Sequence, residues 1–224
     1  MGKAGTLSPA KKVPTVWWSS PNPMSLKPNK STMAILVIGE FIFGLGDSLL
    51  IAAGVGNTPW TVLAEGIADT TEVWTIGETT FLVSVAVMFL WIPIKETPGI
   101  GTILNIIIIA LTIHVMVPIL PQPENPLVSI LMASSGIVLV GIGSSMYLTA
   151  NLGPGPRDGW MTGLQRTTGI PIGRVRIAIE ASVLVIGIVL GGTFGFGTIL
   201  FAVTIGPVVA SCLSIASRID SATG

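Results

Sequence analysis

Gly44-Leu45-Gly46, followed by Gly56 and Pro59, returns 97 positions later as Gly141-Ile142-Gly143, followed by Gly153 and Pro156. After a single-residue gap the spacing becomes 96, so that Ile76-Gly77 matches Ile172-Gly173. In the same register Thr97, Gly99, Gly101, Thr102, Ile103 and Leu104 match Thr193, Gly195, Gly197, Thr198, Ile199 and Leu200, six identities in eight positions. The chain is a duplicated unit, and a fixed-period repeat dictates architecture ahead of any local propensity.

The repeated unit is strongly apolar. Of the 224 residues 50% are hydrophobic and 10% charged, with a mean hydropathy of +0.82, whereas soluble domains carry about 25% charged residues. Spanning the hydrocarbon core takes roughly 20 mostly apolar helical residues. Six stretches approach that length, near Met33 to Ala53, Gly77 to Ile94, Gly101 to Leu120, Leu127 to Ala150, Arg176 to Gly191 and Thr198 to Ser217. Membrane barrels alternate apolar and polar residues, but Ile106-Ile107-Ile108-Ile109 and Val183-Leu184-Val185-Ile186 run unbroken, so the segments read as helices. The expected fold is an all-α membrane protein.

Three spans per half is an odd number, so the second half must enter the bilayer in the opposite sense to the first. The expectation is a 3+3 inverted repeat, residues 33–120 forming one half and 127–217 the other. Short loops rich in Lys and Arg stay cytoplasmic. Under this topology Lys3, Lys11, Lys12, Lys27, Lys30, Lys95, Arg157, Arg166, Arg174, Arg176 and Arg218 share one side, while the outer loops carry Glu65, Asp69, Glu72 and Glu124. Both termini are then cytoplasmic. Residues 1–32 hold basic residues and prolines but no apolar core of a cleavable signal, and read as a disordered cytoplasmic tail. Within it Trp17 and Trp18 suit either the headgroup layer or a disordered segment. The lone Cys212 excludes an intramolecular disulfide and a Cys-rich metal site.

Each half contains a Gly/Pro-rich break. The first span exits through Gly54-Val55-Gly56-Asn57-Thr58-Pro59 and the fourth through Asn151-Leu152-Gly153-Pro154-Gly155-Pro156. Glycine past a helix end and proline at the next helix start read as stop, turn and restart. The restarted segments, near Trp60 to Asp69 and Arg157 to Thr167, are too short to span. Irregular backbone at membrane depth survives only inside protein or beside a water-filled cavity, and paired broken helices are where inverted-repeat transporters bind solutes. The alternative is a pair of ordinary surface turns. Gly44, Gly46, Gly141 and Gly143 suit close helix packing. Thr102 and Thr198, in the two Gly-x-Gly-Thr motifs, suit helix capping.

Ionisable groups inside spans are costly and therefore functional candidates. Four qualify for proton or ion coupling: Glu40, Asp47, His114 and Glu180. Glu40 and Asp47 lie seven residues apart, two turns along one helix face; contact with outer-surface water for Asp47, and snorkelling or Arg pairing for Glu40, are the structural alternatives. His114 suits a proton relay or a hydrogen-bonded interfacial role near Pro118. Glu180 has Arg176 four positions earlier on its face. Arg157, Asp158, Arg174 and Arg176 are the candidate solute-binding residues, since a helix N-terminus beside a guanidinium suits carboxylate or phosphate. Cytoplasmic arginine enrichment explains their charge equally well. The first half has Trp60, Thr61, Glu78 and Thr80 at the equivalent positions, so the repeat is symmetric in fold but not in chemistry.

The second half, from Ala150-Asn151-Leu152-Gly153 through Gly155-Pro156-Arg157-Asp158-Gly159, Thr168-Gly169, Ile172-Gly173, Arg176 and Glu180 to Gly195-Phe196-Gly197-Thr198, resembles the YczE branch of the YczE/YyaS/YitT membrane proteins. The resemblance covers about residues 33–217 and is weaker in the first half, where Thr58-Pro59-Trp60 and acidic residues depart from the pattern. It implies a multi-pass protein of a bacterial plasma membrane, without naming a substrate. The residues favour a small secondary transporter for a small solute, an anionic one by the arginine cluster, with proton coupling. The competing class is a non-transporting assembly or regulatory subunit, docking a membrane partner protein or a second copy. No paired carboxylates, nucleophile triad or metal set has useful spacing, so neither catalysis, cofactor nor metal is expected, and nothing points to nucleic acid.

Overall fold

The computed structural model describes residues 13–71 and 73–223. Lys3, Lys11, Lys12 and Glu72, and with them part of the expected charge asymmetry, lie outside the described residues. Among the described residues the regular structure is entirely helical: α1 (Lys30–Ala53), α2 (Pro59–Thr71), α3 (Ile76–Phe89), α4 (Trp91–Ile94), α5 (Ile100–Met116), α6 (Pro126–Ala150), α7 (Pro156–Thr168), α8 (Ile172–Val189) and α9 (Phe196–Thr223). Four stretches are long and apolar enough to cross a membrane: Lys30–Ala53, Ile76–Ile94, Pro126–Ala150 and Phe196–Ser221. The other two expected spans differ. Helix α5 has 17 residues, about 25 Å of rise against a core of about 30 Å, and the 18-residue α8 carries Arg174, Arg176 and Glu180.

Local sequence sets the ends. Gly54 stops α1 in the left-handed region at φ 66°, and Asn151 stops α6 at φ 53°. Pro126 starts α6 beneath Asn125, whose Oδ1 accepts from Leu127 N at 2.9 Å. Thr75 and Glu78 form a reciprocal capping box at the start of α3, satisfying two of the amides every helix start leaves open.

Helices α1 and α6 cross at the centre through glycines. A Cβ on Gly143 would stand 2.5 Å from Gly39 O, and one on Gly136 would stand 2.6 Å from Gly46 O. Rising numbers on α1 meet falling numbers on α6, so the helices are antiparallel. The 97-residue shift also exchanges the two contacts, converting Gly39–Gly143 into Gly136–Gly46. Flanking helices obey the same rule: Gly44 packs on Thr112 of α5, and Gly141 on Val208 of α9. One apolar cluster joins α1, α6 and α9 around Leu50, Ile137 and Phe201. A second joins α2, α3, α7 and α8 around Trp60, Val83, Met161 and Ile179.

The two breaks are buried and held crosswise. Leu152 O accepts from Gly101 N at 2.8 Å, and Val55 O accepts from Gly197 N at 2.7 Å. Gly153, at φ +105°, sits so close to Gly99 that a Cβ would meet its Cα at 2.8 Å, while one on Gly56, at φ +112°, would meet Gly195 N at 2.6 Å. Thr102 and Thr198 accept from Gly99 N and Gly195 N, at 3.1 and 3.3 Å. Each Gly-x-Gly-Thr motif therefore receives the break of the other half, which explains why both were retained together. Glu65 adds a brace without counterpart. Its Oε2 accepts from Asn57 Nδ2 (2.8 Å) and Thr193 N (2.7 Å), and its Oε1 from Thr193 Oγ1 (2.8 Å).

The tail departs from the expectation of disorder over its described part. Residues 16–20 pack as a strap across the end of α6. Trp18 is buried and donates its Nε1–H to Thr149 Oγ1 at 3.0 Å, Ser20 N donates to Ala150 O at 2.9 Å, and Asn151 Nδ2 donates to Ser20 O at 2.7 Å. Trp17 is exposed, but its backbone N–H reaches Asp220 Oδ1 at 2.6 Å. The strap is irregular chain with turns, so composition without periodicity did not reveal it.

Three outcomes test this packing. Gly99→Ala, whose Cβ would stand 2.2 Å from Leu152 O, lowers stability by about 2 kcal/mol or more, read as a fall in Tm in detergent. Gly173→Ala on α8, with no atom within 4 Å, is neutral or gains about 0.5 kcal/mol. Glu65→Leu, which leaves Asn57 Nδ2 and Thr193 N without their acceptor, costs about 2 kcal/mol or more in the same assay.

Candidate functional site

A cavity of about 290 Å³ lies between the two apolar clusters, where the halves meet. Both broken segments reach it: Thr58, Pro59 and Trp60 at the start of α2, and Gly155, Pro156, Arg157 and Asp158 at the start of α7. The surface-turn alternative fails, because Asn57, Thr58, Pro59, Gly155 and Pro156 are all buried. Their burial is what membrane-depth irregular backbone requires.

The cavity straddles the internal symmetry. Trp60 and Arg157, equivalent residues of the two halves, meet face to face, with the Arg157 Cζ 5.1 Å from the Trp60 ring centroid. From α3 come Thr80 and Ser84, and from α8 their equivalents Arg176 and Glu180. Across the cavity a pair of hydroxyls therefore opposes an ion pair, with Arg176 Nε to Glu180 Oε1 at 2.9 Å. Both charged side chains remain partly exposed, so the pair itself adds little stability. Asn105 of α5 and its equivalent Phe201 of α9 also line the wall.

Acids near the two short helices are exchanged between positions. On the first side Asp47 of α1 accepts from Thr61 Oγ1 of α2 at 3.5 Å; on the second, Ser144 replaces Asp47 and Asp158 replaces Thr61. Each helix start keeps one carboxylate, which suits its positive end. Asp158 Oδ2 accepts a short hydrogen bond from the Tyr147 hydroxyl. Trp91 anchors the start of α7 from beneath: its Nε1–H donates to Pro156 O at 2.9 Å, and its ring fills the space left by Gly159. Ring stacking and long-range attraction to Asp47, Asp158 and Glu180 hold Arg157, whose guanidinium has no hydrogen-bond partner among the described residues.

Among the sequence candidates, Arg157, Asp158, Arg176 and Glu180 come together on the cavity wall. Arg174 does not; it is exposed on another face of α8. Glu40 and Asp47 are both buried, contrary to a snorkelling Glu40 or a water-facing Asp47. Neither Glu40 oxygen nor Asp47 Oδ1 has a hydrogen-bond partner, and Glu40 faces Asn105. His114 lies away from this cavity, exposed, with its Nδ1 2.9 Å from Thr75 Oγ1. Gly153, Gly195, Gly197 and Thr198 hold the breaks, and Gly155 and Pro156 open α7 against the cavity. Sequence reading missed Tyr147, Trp91, Ser84 and Asn105. Ser84 was recoverable as the 96-residue partner of Glu180, while the others carried no repeat signal. Among the described residues no His, Cys, Asp or Glu group of three or more is arranged for a metal ion.

The family described as "Family of unknown function (DUF6198)" matches residues 30–214. A Haemophilus influenzae (strain ATCC 51907 / DSM 11121 / KW20 / Rd) protein named only as uncharacterized is 45% identical over 188 residues, covering 84% of this chain and 86% of its own length. From Bacillus subtilis (strain 168), the "Uncharacterized membrane protein YczE" is 32% identical over 170 residues, covering 75% and 79%. The "Uncharacterized protein YyaS" of the same organism is 28% identical over 176 residues, covering 73% and 83%. No solved structure matches. With its apolar helices and these relatives, the chain is a multi-pass membrane protein belonging to the DUF6198 family, among the YczE-like proteins.

Proposed function

We propose that this protein is a small secondary transporter of a bacterial plasma membrane, with its solute held in the cavity between two inversely oriented halves. One observation carries the reading: both broken helices start at a single cavity lined by residues of both halves. Inverted-repeat transporters place solute at that junction, with helix N-termini facing anionic groups. The antiparallel crossing of α1 and α6 and the crosswise exchange of the breaks support opposite orientation. Six membrane passages, with α5 and α8 completed by neighbouring protein rather than lipid alone, leave both termini cytoplasmic.

In this reading Arg157 and Arg176 contact an acceptor group of the solute, with Asp158 beside them. Arg174 contributes surface charge only. Glu40 is the proton-coupling group, because an isolated ionised carboxylate at that depth is costly and it faces Asn105 of the cavity wall. His114 takes no part. Alternation is a rocking of the two halves about the glycine crossing.

Topology is checked in a Cys212→Ser background. Single cysteines at Asp69, Glu124 and the exposed Phe194 are expected to react with an impermeant maleimide from outside the cell, and those at Thr97 and Gly169 only after permeabilisation. A reversed or mixed pattern overturns the inverted arrangement. Function is checked by solid-supported-membrane currents from proteoliposomes given small organic acids, amino acids and amines. Arg157→Ala lowers the current of a transported solute by about tenfold or more, the cost of losing a charge-assisted contact. Glu40→Gln retains solute exchange but loses accumulation driven by a pH gradient. If no solute moves and a stoichiometric companion co-purifies in mild detergent, the protein is an assembly or regulatory subunit instead.

A further inference from the structure

The cavity wall demands both signs of charge from whatever fills it. Arg157 brings five N–H donors to the wall, and among the described residues none of them is hydrogen-bonded to protein. Thr80, also on the wall and 2% exposed, has a hydroxyl oxygen without a partner. A purely cationic occupant would leave these donors open in a desolvated site, a cost of about 1–3 kcal/mol for each unsatisfied group. A purely anionic occupant meets the opposite problem. Asp158 and Glu180 stand on the wall, and Asp47 attracts Arg157 from behind it, so carboxyls already outnumber guanidiniums around the space. Arg176 is moreover engaged by Glu180 at 2.9 Å.

We infer that the solute is a small zwitterion of the amino-acid class, its carboxylate on Arg157 and Thr80 and its ammonium on the Asp158–Glu180 side. Such an occupant satisfies the free donors and the surplus acid together and adds no net charge. The cavity, about 290 Å³, sits at the low end of ligand pockets and admits a solute of that size. The Trp60 ring backs the guanidinium and Tyr147 fixes the Asp158 carboxyl, so both ends of the solute meet preset partners. This assignment narrows the solute class of the transporter reading and rests on the same cavity.

Near-isosteric probes decide it with the purified full chain in detergent. Binding by titration calorimetry and thermal shift compares L-alanine with propionate and n-propylamine, and then β-alanine and L-leucine for spacing and size. The expected result is that at least one zwitterion binds, while its singly charged analogues bind about tenfold more weakly or worse. Asp158→Asn weakens the zwitterion and improves propionate, and Arg157→Lys, which keeps charge but loses the fork, weakens zwitterion and propionate alike. Propionate or n-propylamine binding as tightly as every zwitterion overturns the assignment, as does the failure of all three zwitterions to bind. The wild-type comparison stands even where a variant does not fold. Flux of a monoanion without zwitterion binding removes this assignment and leaves the transporter; zwitterion binding without flux does the reverse.

Discussion

Backbone groups inside a bilayer have no water to fall back on, so a chain that interrupts its helices there must supply partners from elsewhere in the protein. The carbonyls of Val55 and Leu152 meet that demand through Gly197 N and Gly101 N of the opposite half. Once each break depends on the other half, neither half is complete alone, and the rest of the arrangement follows. The breaks lie side by side, their short helices start at one place, and a cavity remains between them. Glycine at Gly99, Gly101, Gly195 and Gly197 is required because main chain approaches main chain where a side chain would stand.

On that shared scaffold the two copies have diverged only in what they present. Trp60 faces Arg157, Thr80 and Ser84 face Arg176 and Glu180, and the acid at Asp47 in one half reappears at Asp158 in the other. Such divergence is inexpensive, because none of these side chains holds the breaks. Residues that do hold them stayed identical: Gly56 with Gly153, Gly99 with Gly195, and Thr102 with Thr198. The repeated residues thus belong to the frame, to which the unrepeated Glu65 and Trp91 add braces, and the cavity chemistry comes from unrepeated positions.

The same division governs how much could be read from the letters alone. Helical class, break positions and the pairing Arg157, Asp158, Arg176 and Glu180 followed from hydropathy, Gly/Pro punctuation and repeat comparison. Arg174 shares the cytoplasmic arginine cluster of the sequence but not the cavity, because two positions along a helix turn its side chain to another face from Arg176. Tyr147 and Trp91 escaped notice because aromatic residues in apolar helices carry no local mark of the hydrogen bonds they make to Asp158 and Pro156. The ordered strap escaped for a related reason: its contacts run to residues more than a hundred positions away.

The strap also has a consequence for the order of events during synthesis. Trp17 and Asp220 are separated by 203 positions, and Trp18 packs with Ala216 of the last helix. The segment made first can engage the end of α6 once residue 151 has been made, but its contacts with Ala216 and Asp220 must wait for α9. Closure of the strap is therefore a two-stage event whose second stage reports on a chain that is nearly complete, and a product stalled before α9 leaves the α9-facing side of Val16 and Trp18 uncovered.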